Sequence, residues 1–220
     1  MFTQRRIVLV PLKKGLLGAE TATLIGSLMV AAVWQATLTR AGTPQEQRHP
    51  MWMYLDEFQE IVRLPIDMAD MLAQARALKV GLTLAYQFLN QINLHVRAAV
   101  LGTTQSQLAF QLQHEDAKTL APRYAPLTVH DLTGLGAFDI ALRPCVGGRT
   151  LGPVTGHTYP LPPPTRDPAQ LAAASRTRYG QPRHLIETQL NTRTHTPPPV
   201  AGGAPHPNRV PLHQPAGHTP

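Results

Sequence analysis

The chain has 220 residues, room for one ordinary domain and a tail. Twenty Lys and Arg stand against 13 Asp and Glu, a net charge of +7 and a pI near 10.1. That balance favours a polyanionic partner, nucleic acid or an anionic membrane face, although a solvated basic surface explains it equally well. The single cysteine, Cys145, excludes an internal disulfide framework, fits a reducing compartment and reads as a small buried apolar residue.

Met1–Arg6 is polar and basic, and the next apolar run, Ile7–Val10, is cut by Pro11, so no signal peptide is expected. Arg6–Leu12 reads as a buried strand ended by Lys13-Lys14-Gly15. Ala19–Arg40 has no interior breaker but Gly26 and reads as a long, largely buried helix. Its longest apolar stretch, Leu24–Trp34, is too short to span a bilayer and shares the helix with Glu20, so no membrane span is expected. A polar loop, 41–50, leads into a second strand, Met51–Leu55. Asp67–Lys79 reads as a helix with Met68, Met71, Leu72, Ala75 and Leu78 on one face. Val80–Tyr86 is a third strand with Gln87 at its end. Asn90–Leu101 suggests a helix. Thr104–Leu112 suggests a strand in which Leu108 and Phe110 alternate with Gln107, Ala109 and Gln111. His114–Leu120 and Thr128–Leu132 read as helices, and Phe138–Arg143 as a last core strand with a return near Thr150–Thr155.

Strands alternating with helices predict an α/β domain: a mostly parallel sheet with helices on both faces. Ligands of such sheets bind beyond the C-terminal strand ends. From Pro160 onward the composition changes, and 14 of the 22 prolines lie there. Helical segments are expected around Ala169–Tyr179 and Leu185–Leu190. The stretch 191–220 lacks large apolar residues and reads as disordered.

Met51-Trp-Met-Tyr-Leu-Asp56-Glu57 is an apolar run that climbs into two adjacent carboxylates, the form of a Walker B strand. At such a strand end the first acid can hold Mg²⁺ through water, and the second can orient or deprotonate an attacking water. The competing account is a pair of acids that cap a helix or face solvent. No G-x-x-x-x-G-K-[ST] loop occurs, so the half of a nucleotide site that cradles phosphate is missing. Lys13-Lys14-Gly15-x-x-Gly18 has its lysines before its glycines and reads as a turn into the long helix. The histidines His157, His184, His195, His206, His213 and His218 lack paired ligand spacing, so no metal cluster is expected.

Tyr54-Leu-Asp-Glu-Phe-Gln59, Ala75-Arg76 and Gly81-Leu-Thr-Leu-Ala-Tyr-Gln87 resemble the C-terminal half of the motor of a type IV secretion coupling protein of the TraG/TraD class. Ile7–Gly18, Leu101–Phe110, Glu115-Asp116-Ala117 and Ser175–Arg183 are similar to flanking runs of that family, so the likeness covers about residues 5–190. The resemblance implies a partial RecA-like P-loop NTPase, a three-layer sandwich, over residues 1–158. A Pro-rich linker with short helices follows over 159–190, then a tail, 191–220. It implies Mg-ATP as the family's cofactor and a hexameric ring that moves DNA or protein toward a secretion channel. Implied partners are other motor subunits or a P-loop-bearing polypeptide, and relaxosome or channel proteins; the implied location is the bacterial cytoplasm, at the inner face of the membrane through partners. The family's P-loop, membrane helices and inserted all-α domain are not in this sequence.

By this resemblance Asp56 is the Mg²⁺-water ligand, Glu57 the catalytic base, Gln87 a sensor of the γ-phosphate, and Arg76 an arginine finger for a neighbouring subunit. The plainer accounts are a loop glutamine for Gln87 and a helix-surface arginine paired with Asp67 or Asp70 for Arg76. Arg176, Arg178, Arg183 and Arg193 either touch a polyanion or solvate the tail. Two functions follow: a DNA-transfer ATPase fragment inactive without a separate P-loop, or a non-catalytic module that docks a relaxosome or secretion partner.

Overall fold

The structure, a computed structural model, describes residues 6–61 and 67–195. The signal-peptide reading of Met1–Arg5 and the tail 196–220 fall outside them. The chain forms two units, Met1–Pro160 and Leu161–Pro220.

The described part of the first unit begins with a segment, 6–13, that pairs with no strand among the described residues. Ile7 and Leu9 are 90% and 85% exposed, which corrects the expected buried strand. Apolar β-formers make a strand only where another strand offers free amides and carbonyls. Helices α1 (Lys14–Leu17) and α2 (Ala19–Leu38) follow. The burial of α2 is confined to one stripe of Ala22, Gly26, Ser27, Val30, Trp34 and Thr37, while Leu24 and Leu28 are exposed. Gly26 permits a close approach: a Cβ there would lie 2.7 Å from Leu12 and 3.2 Å from Ile61. The hydroxyl of Ser27 donates to the Ile61 carbonyl across the same contact. Within Ala19–Gly42, 24 residues, an 18-residue window has mean hydropathy 1.4, long and apolar enough to cross a membrane by length and composition alone, a test that the core helix of a soluble protein also passes; a third of that window is buried in the fold.

Strand β1 (Met51–Leu55) leads through α3 (Phe58–Ile61) to α4 (Met68–Ala75) and β2 (Val80–Leu84). Asp67 caps α4 by accepting from the Ala69 and Asp70 amides at 2.8 and 3.3 Å. The predicted stripe Met68, Met71, Leu72, Ala75 and Leu78 is buried throughout. β1 and β2 pair in parallel, Met51 opposite Val80 and Leu55 opposite Leu84. Met51, Met53 and Leu55 with Val80, Leu82 and Leu84 face a core shared with α2, α4 and α5 (Leu94–Thr103). The other face carries Trp52 and Tyr54, 63% and 72% exposed. Among the described residues of the first unit, helices therefore cover one face of this pair.

β3 (Gln107–Ala109) follows, then α6 (His114–Leu120), α7 (Val129–Thr133), β4 (Asp139–Arg143), the hairpin strands β5 (Cys145–Val146) and β6 (Arg149–Thr150), and β7 (Val154–His157). β3, β4 and β7 form an antiparallel sheet with β4 central. The architecture is thus mixed helix and sheet: a parallel pair, an antiparallel triplet and a hairpin, in place of the expected continuous parallel sheet. In β3 the faces are opposite to the simplest hydrophobic reading. Ala109 is buried opposite buried Ala141, whereas Leu108 and Phe110 are 51% and 50% exposed. The core there gathers Leu89, Ala109, Ala117, Leu120, Tyr124, Leu132 and Ala141. Cys145 is half-buried, not buried, with its Sγ 3.1 Å from Gln105 Oε1.

The second unit holds α8 (Pro168–Tyr179) and α9 (Arg183–His195). Asp167 caps α8 and Pro168 occupies its first turn. α9 takes in residues 191–195, which the composition had assigned to the disordered tail.

Candidate functional site

Parallel pairing places the C-terminal ends of β1 and β2 side by side. The Ala85 amide donates to Leu55 O (2.9 Å) and the Phe58 amide donates to Ala85 O (3.1 Å), so Asp56 and Glu57 are looped out between two anchored points. Glu57 takes φ = 48°, a left-handed backbone that costs a non-glycine residue on the order of 1 kcal/mol. The neighbours impose it. Phe58 is fully buried and sits edge-on to Tyr86, ring centroids 5.8 Å apart, and Asp56 Oδ1 accepts from the Glu57 amide at 3.1 Å.

This turn aims the Glu57 carboxylate at β2. Its Oε1 accepts from Gln87 Nε2 at 2.6 Å, and its Oε2 accepts from Gln59 Nε2 at 2.6 Å. Gln91 stands behind, its Oε1 accepting from Gln59 Nε2 at 3.4 Å and from the Phe88 amide at 3.3 Å. A carboxylate oxygen has two lone pairs, so Glu57 keeps capacity to orient a water while the amides fix its direction. Asp56 is exposed at the same rim.

Asp56, Glu57 and Gln87 thus meet at one strand end, as their positions in sequence suggest. Arg76 does not join them. It follows the last turn of α4, and its carbonyl accepts from the Lys79 amide just before β2 begins, so it lies at the opposite end of that strand. Asp67 is engaged with the amides of α4 and with His95, at 4.0 Å, rather than with Arg76. Gln59 and Gln91 had no role assigned from sequence. Gln59 lies within the quoted acid motif, but only the left-handed turn at Glu57 swings it back onto the carboxylate.

Mg²⁺ suits this rim in one way only. A single exposed carboxylate can hold the ion through water, and substrate phosphates would supply the remaining ligands. Among the described residues no group of three or more His, Cys, Asp or Glu converges to hold a metal unaided. The phosphate-loop motif whose amides and lysine grip a nucleotide does not occur in the 220 residues.

A second core lies against the site. Tyr86 packs into both hydrophobic clusters, and the Leu89 amide donates to Asp116 Oδ2 of α6 at 3.1 Å. Burial pushes the Tyr86 phenol up, Asp116 adds to this, and Arg123 opposes it. Tyr124 is pushed up to about 12, mainly by burial and then by Tyr86.

The fold has counterparts among solved conjugative coupling proteins. The plasmid coupling protein TrwB in complex with the non-hydrolysable GTP analogue GDPNP superposes with a TM-score of 0.52 at 15% identity, covering 64% of this chain and 39% of that one. TrwB in complex with the ATP analogue ADPNP gives 0.51 at 15% identity, covering 64% and 38%. The chain therefore spans less than two-fifths of the length of these proteins, and the likeness is one of fold. No protein-family model matches the chain, and no curated protein sequence matches it.

Proposed function

We propose that this chain is the acid-and-sensor part of a RecA-like motor of the conjugative coupling type, acting in type IV secretion of DNA or protein. The observation that carries the reading is the 2.6 Å contact between Glu57 and Gln87, one from each of two adjacent parallel strands, beside exposed Asp56. Asp56 would bind Mg²⁺ through water, and Glu57 would orient and deprotonate the attacking water. Gln87, already bonded to Glu57, would report the γ-phosphate. Arg76, away from these acids, would reach a site on a neighbouring subunit. The grip on Mg-ATP must come from a polypeptide segment outside these 220 residues, since helix N-terminal amides and a lysine are what hold β- and γ-phosphates. DNA, other motor subunits and relaxosome or channel proteins are the partners of this reading, at the inner face of a bacterial membrane. The missing phosphate loop also favours a second reading, a non-catalytic module that docks a relaxosome or secretion partner.

ATP hydrolysis, measured with and without DNA, separates the two. The chain alone should show no turnover. Combined with a P-loop-bearing polypeptide encoded beside it, it should show DNA-stimulated turnover, which Glu57→Gln reduces by about 10²- to 10⁴-fold. Turnover indifferent to Glu57→Gln would sink the motor reading.

A further inference from the structure

Two amides hold the Glu57 carboxylate, and they are not equivalent. Gln87 lies just past β2, and both it and its contact with Glu57 Oε1 are exposed. Among the described residues no side chain but Glu57 hydrogen-bonds Gln87. Gln59 lies in α3, directly after fully buried Phe58, and its contact with Glu57 Oε2 is partly buried. Behind it stands Gln91, whose Oε1 accepts from Gln59 Nε2 at 3.4 Å. Gln91 is itself fixed, because the same oxygen accepts the Phe88 amide at 3.3 Å and closes the turn. Leu89 anchors that turn: it is 2% exposed, and its amide donates to Asp116 Oδ2 at 3.1 Å. One amide is therefore braced against the fold, and the other stands free in water.

Gln59 does this at a cost to the fold. Its Oε1 is buried and, among the described residues, accepts no hydrogen bond. A buried amide oxygen without a donor destabilises the folded state. Turning the amide over gives no relief, since its oxygen would then face a carboxylate. An apolar side chain of similar length would suit the packing better, so stability does not account for glutamine here. What its nitrogen holds does. We infer that Gln59 is a positioning residue that fixes the direction of the Glu57 carboxylate, while Gln87 is the amide that lets go. This rests on the motor reading, because direction matters only if Glu57 is to act on a water. When Gln87 turns away toward a γ-phosphate, Oε1 loses its donor and is open to accept the proton of that water. Without Gln59 the released carboxylate would rotate about its last torsion; with Oε2 still held, it stays aimed. Holding and sensing are thus divided between two glutamines, which a single amide could not combine.

The test has two arms. The first uses the full chain alone and reads side-chain amide hydrogen exchange by NMR, together with thermal melting. The Gln59 side-chain amide should exchange about tenfold more slowly than that of Gln87, and Gln91→Ala should remove most of the difference. Gln59→Met should melt no lower than the parent chain. The second arm adds the P-loop-bearing polypeptide and reads ATP turnover. Gln59→Met should lower kcat about tenfold and leave KM for ATP unchanged. Gln87→Met should lower kcat and raise KM together, because that amide also meets the nucleotide. A lowered melting midpoint in Gln59→Met, equal exchange of the two amides, or an unchanged kcat would each overturn the assignment. Turnover that responds to Glu57→Gln but not to Gln59→Met rejects this inference and keeps the motor reading. If no assembly turns over ATP, the motor reading fails, and the exchange and melting results still decide whether Gln59 is the braced amide.

Discussion

The parallel pair β1–β2 and the antiparallel triplet β3–β4–β7 bury their side chains in different ways. The pair gathers a large core on one face, from Phe58, Met68, Met71 and Val100 among others, and leaves Trp52 and Tyr54 in water on the other. The triplet closes a smaller core around Tyr124, Leu132, Ala117 and Ala141, all at most 1% exposed. Antiparallel sheets normally keep one wet face, whereas parallel strands are nearly always covered on both. The triplet is therefore complete by this standard and the pair is not. The candidate site sits on the incomplete region, held in shape by contacts with the complete one through Tyr86 and Asp116.

The comparison is most sharply tested at Phe58. Phe58→Ala should cost about 3–5 kcal/mol, because it empties a fully buried site and frees the turn that aims Glu57. Leu132→Ala, equally buried in the second core, should cost about 2–5 kcal/mol. Urea unfolding by two probes, one in each region, is the measurement. If Phe58→Ala leaves the first region intact, the pair does not depend on this anchor.

Alkali should act on the second core. Tyr124, raised to about 12 in the folded chain against about 10 unfolded, contributes stability that is complete below about pH 10. That contribution is lost as pH rises toward 12, since the unfolded phenol ionises first. Tyr124→Phe should flatten most of the loss, with Tyr86 supplying a remainder of the same sign. An unchanged alkaline transition in Tyr124→Phe would place the sensitivity elsewhere.

A smaller effect is expected at the start of α7. There Thr128 Oγ1 accepts from the Asp131 amide at 3.3 Å, and Asp131 Oδ2 accepts from the Thr128 amide at 2.7 Å. Thr128→Ala should cost about 1 kcal/mol by thermal melting. The least effect is expected at Asp139. Its hydrogen bond with His157, and secondarily one from Gly136, hold its carboxyl below the usual range. The stability it contributes is present above the ordinary aspartate pKa and fades as pH falls below about 4. Asp139→Asn should blunt that acid loss slightly, and a steeper acid transition in the variant would contradict the assignment.

Much of the first region was legible in the sequence. The stripe of α4 follows from periodicity, because burial on one face of a helix repeats every 3.6 residues, whereas β1 reads as an unbroken apolar run and gives no sign that Trp52 and Tyr54 stay wet. Asp56, Glu57 and Gln87 were legible as strand-end residues because the apolar runs stop there. The bracing amides Gln59 and Gln91 were not, because a left-handed backbone at a glutamate has no sequence signature. Arg6–Leu12 misled because apolar β-branched composition measures fitness for a sheet but not the presence of a neighbour.

What the chain settles locally is where helices and strands begin, which side of α4 is apolar, and that two acids close a strand. These depend on caps, periodicity and turn residues within a few positions of one another. What only the tertiary structure decided is which strands pair, in which direction, and which face remains wet. Each of these turns on contacts between residues tens of positions apart, such as Ala109 with Ala141 and Glu57 with Gln87. Local preference carries no record of those distances.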